Sequence, residues 1–272
     1  MENIAPRYTV NQILDQYEID CFDKLAPRSQ KDYRRHIQIL RAAFGERIAA
    51  DLEPKDFGPF MNVKKGKIHR NRTIAVLSAS FTHAVRKLYW LKVNILRDVS
   101  RHRSQPRDCY VTDAEYEGFK ALASPVIQSA MELALLLGQR QGDLLGMKWS
   151  QIQDMHILVT QSKTGKRLAI AITPAVEAVL DRCWQHPRRR EYVLCRRDGG
   201  RYTPEGFRAM WQRTMVKWRK RGGERWTFHD LRGKSASDSE TIDLAYQRLG
   251  HTDIAMTRRV YDRGIRKVQP LR

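Results

Sequence analysis

Apolar residues recur at helical spacing through most of the chain and alternate in one short region. From Thr9, residues Val10, Ile13, Leu14, Tyr17 and Cys21 line one face of a helix for which Thr9 offers a side-chain N-cap. A second set, Tyr33, Ile37, Leu40 and Phe44, runs up to Gly45. A third set, Ile74, Leu77, Phe81, Val85 and Leu88, follows the basic stretch Lys64 to Arg72. The N-terminal part therefore predicts an all-helical domain. Its pattern breaks between Arg97 and Asp108, where Arg101, His102, Arg103, Ser104, Gln105, Pro106 and Arg107 form a polar, basic linker with a helix-breaking proline. The expected domains are 1–104 and 105–272.

Beyond the linker, Thr112 with Glu115 three residues on makes a capping box that opens a helix through Tyr116 and Phe119. An apolar helix from Val126 to Leu137 stops at Gly138, and another starts around Asp143 and Leu144, which leaves Arg140 at the junction. Ile157 to Thr160 and Leu168 to Ile172 alternate and are rich in β-branched residues. They flank Ser162, Lys163, Thr164, Gly165 and Lys166, as the arms of a hairpin with Lys163 near its tip. A third strand is expected at Tyr192 to Cys195, before a turn at Asp198, Gly199 and Gly200, and the remainder reads as helix. The fold class is mainly α with a small antiparallel sheet, an α+β chain long enough at 272 residues for two cores.

Charge narrows the partners. Fifty Lys+Arg against thirty Asp+Glu leave +20, a field that draws polyanions, so nucleic acid is the leading partner. From Arg182 to Arg225 alone there are fourteen basic and four acidic residues. A membrane surface would also take up positive charge, but no apolar run approaches the ~18 residues a spanning helix needs. Met1 to Arg7 lacks the apolar stretch of a secretory signal, so no membrane association and a cytoplasmic location are expected. Cys21, Cys109, Cys183 and Cys195 are scattered, which suits a reducing compartment. The Cys183 and His186 pair has no second pair at zinc spacing, so no metal is expected. Lys31, Arg34, Arg35 and Arg41 lie opposite the apolar face of their helix, where they either track phosphates or are simply solvated.

Five features then occur in order: Gly138-Gln139-Arg140 with Asp143 after it; Ser162-Lys163-Thr164-Gly165 in the hairpin; His229-Asp230-Leu231-Arg232; Leu249-Gly250-His251; and Tyr261. Each has an ordinary explanation alone: Arg140 in a surface ion pair, His229 as a cap or core residue, Lys163 as an exposed turn residue, Tyr261 as a half-buried aromatic. Together, from Tyr110 to Arg272, they resemble the tyrosine recombinases of the phage-integrase kind. More weakly, the helical N-terminal part resembles that family's core-binding domain. The residue types suit phosphoryl transfer. Charge in the transition state gathers on non-bridging oxygens, and the guanidinium forks of Arg140 and Arg232 can each grip two of them. Tyr261 is the candidate nucleophile, and because a phenol with a pKa near 10 is mostly protonated at neutral pH it needs help. His229 and His251 are the candidate base and phosphate donors, and Lys163 the candidate general acid at the leaving 5′ oxygen. Asp143 is expected to orient Arg140.

The resemblance implies a two-domain clamp on double-stranded DNA and a homo-tetramer that passes through a Holliday junction. It also leaves room for a DNA-bending or directionality accessory protein. Lys31, Arg34, Arg35, Arg101 and Arg103 are the candidate DNA-binding residues. A phosphotyrosine conserves bond energy, so no cofactor is required. Gly233-Lys234-Ser235 resembles the end of a phosphate-binding loop, but its earlier glycine position holds Phe228. The sequence departs from the family where Gln139 replaces the common leucine before the first arginine. It also departs in a shorter, more polar stretch from Arg232 to His251 and an N-terminal part too short for the arm-binding domain of larger integrases. Two other readings share these residues: a type IB-like topoisomerase, separated by relaxation rather than strand exchange, and a non-catalytic DNA-binding regulator with an idle tyrosine.

Overall fold

Thr9 caps the first helix, α1 (Val10–Cys21), by accepting the Gln12 backbone N–H, while the Gln12 side chain accepts the Thr9 N–H at 2.8 Å. The computed structural model describes residues 7–63, 66–103, 109–185, 191–250 and 255. The chain divides into two compact units, residues 1–106 and 107–272. In the first, α2 (Pro27–Phe44) starts on a proline, and α3 (Gly58–Met61) leads toward α4 (Lys67–His83). Ile13, Leu14, Ile37, Leu40, Ile74, Leu77 and Phe81 are buried together, so the three periodic sets meet in one core. The third set does not stay α-helical to Leu88: α4 ends at His83, and 84–88 is a wider π turn closed by Tyr89 at φ +58. There Trp90 stacks on Tyr8 with centroids 3.8 Å apart.

The second unit opens with α5 (Asp113–Lys120) behind the Thr112–Glu115 capping box, followed by α6 (Pro125–Leu137) and the short α7 (Gln141–Leu145). A three-stranded antiparallel sheet follows in sequence order, β1 (Ile152–Gln153), β2 (His156–Thr160) and β3 (Arg167–Ala171). Ile157 faces Ile170 and Val159 faces Leu168 in the register, and Ile157 and Val159 are the buried phase of β2. Then come α8 (Pro174–Trp184), α9 (Pro204–Lys220), α10 (Asp230–Ser237) and α11 (Ile242–Leu249). Helix α10 packs on both α6 and α11, so the site described below is built on the centre of the unit.

One expected strand is absent. Tyr192 and Cys195 make only isolated bridges, to Lys148 and Arg201. Val193, Leu194 and Cys195 are all buried in succession, so the segment plugs the core instead of alternating across a sheet. The third strand is instead β1, whose two residues carry too little pattern to read. Among the described residues no helix is long and apolar enough to cross a membrane.

Phe119 is fully buried, with ring centroids 4.5 Å from Trp211 and 4.6 Å from Trp226. Truncating it opens a cavity among aromatics that have little room to collapse. Phe119→Ala is expected to destabilise the second unit by about 3–5 kcal/mol in urea unfolding. A loss below about 1 kcal/mol would show that the aromatic cluster does not hold the unit together.

Candidate active site

Two helix ends converge on one buried arginine. Arg232, in the first turn of α10, is 5% exposed, and its Nη1 donates to the Gly138 carbonyl at 2.5 Å and its Nη2 to the Leu249 carbonyl at 2.6 Å. Those carbonyls lie at the C-terminal ends of α6 and α11, where backbone dipoles leave partial negative charge that suits a cation. Gly138 at φ +63 and Gly250 at φ +60 turn the chain out of both helices in the left-handed region. A guanidinium has five N–H donors, so the two carbonyls leave the fork with capacity for a ligand.

Arg232 is nonetheless electrostatically uncomfortable. Burial first, and then the nearby charge of Arg140, push its pKa down to about 10, with Asp143 acting in the opposite sense. At about 1.4 kcal/mol per pKa unit, keeping it charged at neutral pH costs the fold on the order of 3 kcal/mol. The sign is that of a buried cation: the cost is present at neutral pH and fades as pH rises through the lowered pKa. An anion held between the two arginines would offset it.

Arg140 occupies the N-cap position of α7, half-buried, and its Nη1 donates to Gln161 Oε1 at 2.7 Å. Gln161 itself is fully buried, and its Oε1 also accepts from Thr164 Oγ1 at 3.0 Å. Its Nε2 donates to Gln139 Oε1 and to the Leu249 carbonyl, both at 2.8 Å. Gln139 in turn donates to the carbonyls of Leu137 and Arg248, again at 2.8 Å. Asp143 reaches the hairpin: its Oδ1 accepts the Ser162 backbone N–H at 2.9 Å and the Ser162 hydroxyl at 2.7 Å. Its Oδ2 is buried with no hydrogen-bond partner among the described residues. The hydrogen bond that orients Arg140 thus comes from Gln161, while Asp143 fastens the hairpin.

Lys163 is exposed in the turn between β2 and β3, which is closed by Gly165 N–H to the Gln161 carbonyl at 2.8 Å, with Gly165 at φ +68. His229 is exposed at the start of α10, three residues before Arg232. The turn before it is fixed by Asp230, whose Oδ2 accepts the Thr227 N–H and hydroxyl, each at 2.7 Å. His251 and Tyr261 lie outside the described residues, the former directly after Gly250. Lys31, Arg34 and Arg35 are exposed on α2, and Arg101 and Arg103 are exposed as well, whereas Arg41 is engaged by Asp15 at 2.6 Å and Glu18 at 2.9 Å. Lys234 is buried and paired with Asp113 at 2.5 Å and Asp238 at 2.9 Å, so Gly233-Lys234-Ser235 is a packed stretch of α10 rather than a phosphate loop.

Sequence reasoning missed Gln161 and noted Gln139 only as a departure from the family's common leucine. The signal for Gln161 was present: it is the next inward position after Ile157 and Val159, and a polar side chain in the buried phase of a strand calls for partners.

The sequence model of the phage integrase family matches residues 114–264. The integrase of Escherichia phage HK022 is 29% identical over 280 residues, covering 95% of this chain and 77% of that protein. The integrase of Escherichia phage lambda is 27% identical over 271 residues, covering 93% of this chain and 76% of that protein. Among solved structures, a lambda integrase tetramer bound to a Holliday junction superposes with a TM-score of 0.84 at 25% identity, over 100% of this chain and 81% of that chain. The Tn1549 transposon integrase with circular intermediate DNA shares the fold at a TM-score of 0.77 and 18% identity, over 93% and 95% of the two chains.

If the arginine pair awaits an anion, inorganic sulfate should raise the thermal midpoint of the wild-type protein more than that of Arg232→Gln. Sulfate also stabilises proteins generally, so the difference between the two proteins is the readout. Equal increments would mean that the pair holds no anion.

Proposed function

The chain belongs to the phage integrase family, and from that premise we propose that its arginine pair grips the scissile phosphate of a DNA site while Tyr261 attacks it. The protein is a site-specific tyrosine recombinase. Topoisomerase and silent-regulator readings are not favoured, since the curated relatives named above are integrases. One observation carries the assignment of residues: Arg232 donates to the Leu249 carbonyl, and Arg140 donates to Gln161, whose amide donates to that same carbonyl, so both are tied to the corner that leads into His251.

In the proposed step the Tyr261 oxygen bonds to phosphorus, the bond from phosphorus to the 5′ oxygen breaks, and a 3′-phosphotyrosine forms. The phenolic proton passes to a histidine, His229 or His251, and the departing 5′ oxygen takes a proton from Lys163. Arg140 and Arg232 neutralise the charge that builds on the non-bridging oxygens. Ligation reverses the step with a 5′ hydroxyl from the partner duplex, so neither nucleotide nor metal is needed to remake the bond. Lys163 suits the acid role because an exposed turn lets its ammonium reach the leaving group, and an ammonium gives up a proton far more readily than a guanidinium.

Double-stranded DNA is the proposed substrate, with Lys31, Arg34, Arg35, Arg101 and Arg103 as phosphate contacts; all five are exposed. The lambda enzyme has been solved as a dimer on a core site and as a tetramer on a Holliday junction, and we extend tetrameric assembly to this chain. A DNA-bending or directionality protein belongs to the same proposal, as does a cytoplasmic site of action.

A nicked suicide substrate, run on a denaturing gel, tests the chemistry. Wild type should leave protein covalently on DNA and Tyr261→Phe should leave none, while Arg140→Ala and Arg232→Ala should each lose about 10²–10³ in cleavage rate. Wild type without an adduct, or an adduct that survives Tyr261→Phe, refutes the assignment. Binding has its own test. Log affinity should fall linearly with log salt, and each alanine replacement among the five surface cations should flatten the slope by about 0.9. Unchanged slopes would remove those residues from the DNA interface.

A further inference from the structure

We propose that Gln161 is a positioning residue for DNA cleavage: one buried side-chain amide sets the Arg140 guanidinium, the Lys163 turn and the approach to His251 relative to one another. The inference rests on the phosphate-gripping role of Arg140 given above.

The amide is used to capacity. Its oxygen accepts from Arg140 Nη1 at 2.7 Å and Thr164 Oγ1 at 3.0 Å, and its nitrogen donates to Gln139 Oε1 and the Leu249 carbonyl at 2.8 Å each. A carboxamide offers two donor hydrogens and two acceptor lone pairs, so nothing is left over and the group cannot rotate without breaking bonds. The Leu249 carbonyl also accepts from Arg232 Nη2 at 2.6 Å, so Gln161 touches Arg140 directly and Arg232 through one shared oxygen. Thr164 is the neighbour of Lys163. Gly250 passes so close that a Cβ there would lie 2.8 Å from Gln161 Nε2, which fixes the backbone immediately ahead of His251. Pieces from α7, the hairpin and the end of α11 thereby share one reference point.

A packing role alone would predict a loss of stability. A positioning role predicts a loss of chemistry at unchanged DNA affinity, because the exposed cations proposed to hold the duplex belong to the other unit of the chain. Two replacements separate these outcomes. Gln161→Met keeps the volume and removes all four hydrogen bonds. Gln161→Asn keeps an amide one methylene too short for Arg140, and serves if the methionine variant unfolds.

The experiment is single-turnover cleavage of the suicide substrate at saturating DNA, alongside the Kd for the same duplex. Both variants should cleave about 10- to 100-fold more slowly, by analogy with the loss of a partner that orients a metal ligand. Their Kd should stay within about threefold of wild type. In an Arg140→Lys background, adding Gln161→Met should cost clearly less than it does in the wild type, because one of the groups it positions, the guanidinium, is already gone. Wild-type cleavage by the variants, a weakened Kd with unchanged cleavage, or a loss that multiplies in full with Arg140→Lys overturns the proposal. Arg140→Lys by itself keeps the two readings apart. If it cleaves like wild type, the role of Arg140 falls and takes this inference with it. If it is crippled while the Gln161 variants are not, only this inference falls.

Discussion

The catalytic half is organised around a charge it has to bury. Arg232 is 5% exposed, and the carbonyls that end α6 and α11 stabilise it where water is excluded. Each of those helices must therefore stop where it does. Glycines at 138 and 250 end them by turning into the left-handed region, and a Cβ at Gly138 would come within 3.1 Å of Leu249 and Ser235 side chains. The same geometry places Arg140 just past the first of these turns and carries the chain toward His251 from the second. One buried cation is thus hydrogen-bonded where two helices end, next to where a third begins.

Holding a second cation near the first runs against folding stability. The lowered pKa of Arg232 records the conflict, from burial first and Arg140 next. Strain of this kind is useful if the site binds a phosphate diester whose charge grows during the reaction, because preorganised cations need no rearrangement at the moment of transfer. The Gln161 amide, itself held by Gln139, ties Arg140 to the Leu249 carbonyl that Arg232 also grips, and Asp143 is hydrogen-bonded to the hairpin.

Much of this was legible beforehand, and what was not has physical reasons. The N-cap at Thr9, the capping box at Thr112, the stop at Gly138 and the β2–β3 hairpin follow from local rules of capping, periodicity and turn chemistry, and all four formed. The proposed arginine, lysine and histidine roles were suggested by the order of motifs that resembles the family, and those residue types suit phosphoryl transfer. Gln161 was not singled out: its inward phase after Ile157 and Val159 calls for partners but does not name them, and they lie 88 and 22 residues away. The segment 192–195 misled because its β-forming composition is also what a core-plugging loop requires. The π turn after His83 was hidden by apolar spacing that continues smoothly through it.

In the proposed complex the scissile phosphate sits between Arg140 and Arg232. A crystal structure of the chain trapped on a cleaved DNA site measures this directly. It should show non-bridging oxygens of the phosphotyrosine within hydrogen-bonding distance of both guanidinium groups, with Arg232 still bound to the Gly138 and Leu249 carbonyls. A phosphate held elsewhere, with either arginine turned away from it, would rule out the arginine pair as its grip.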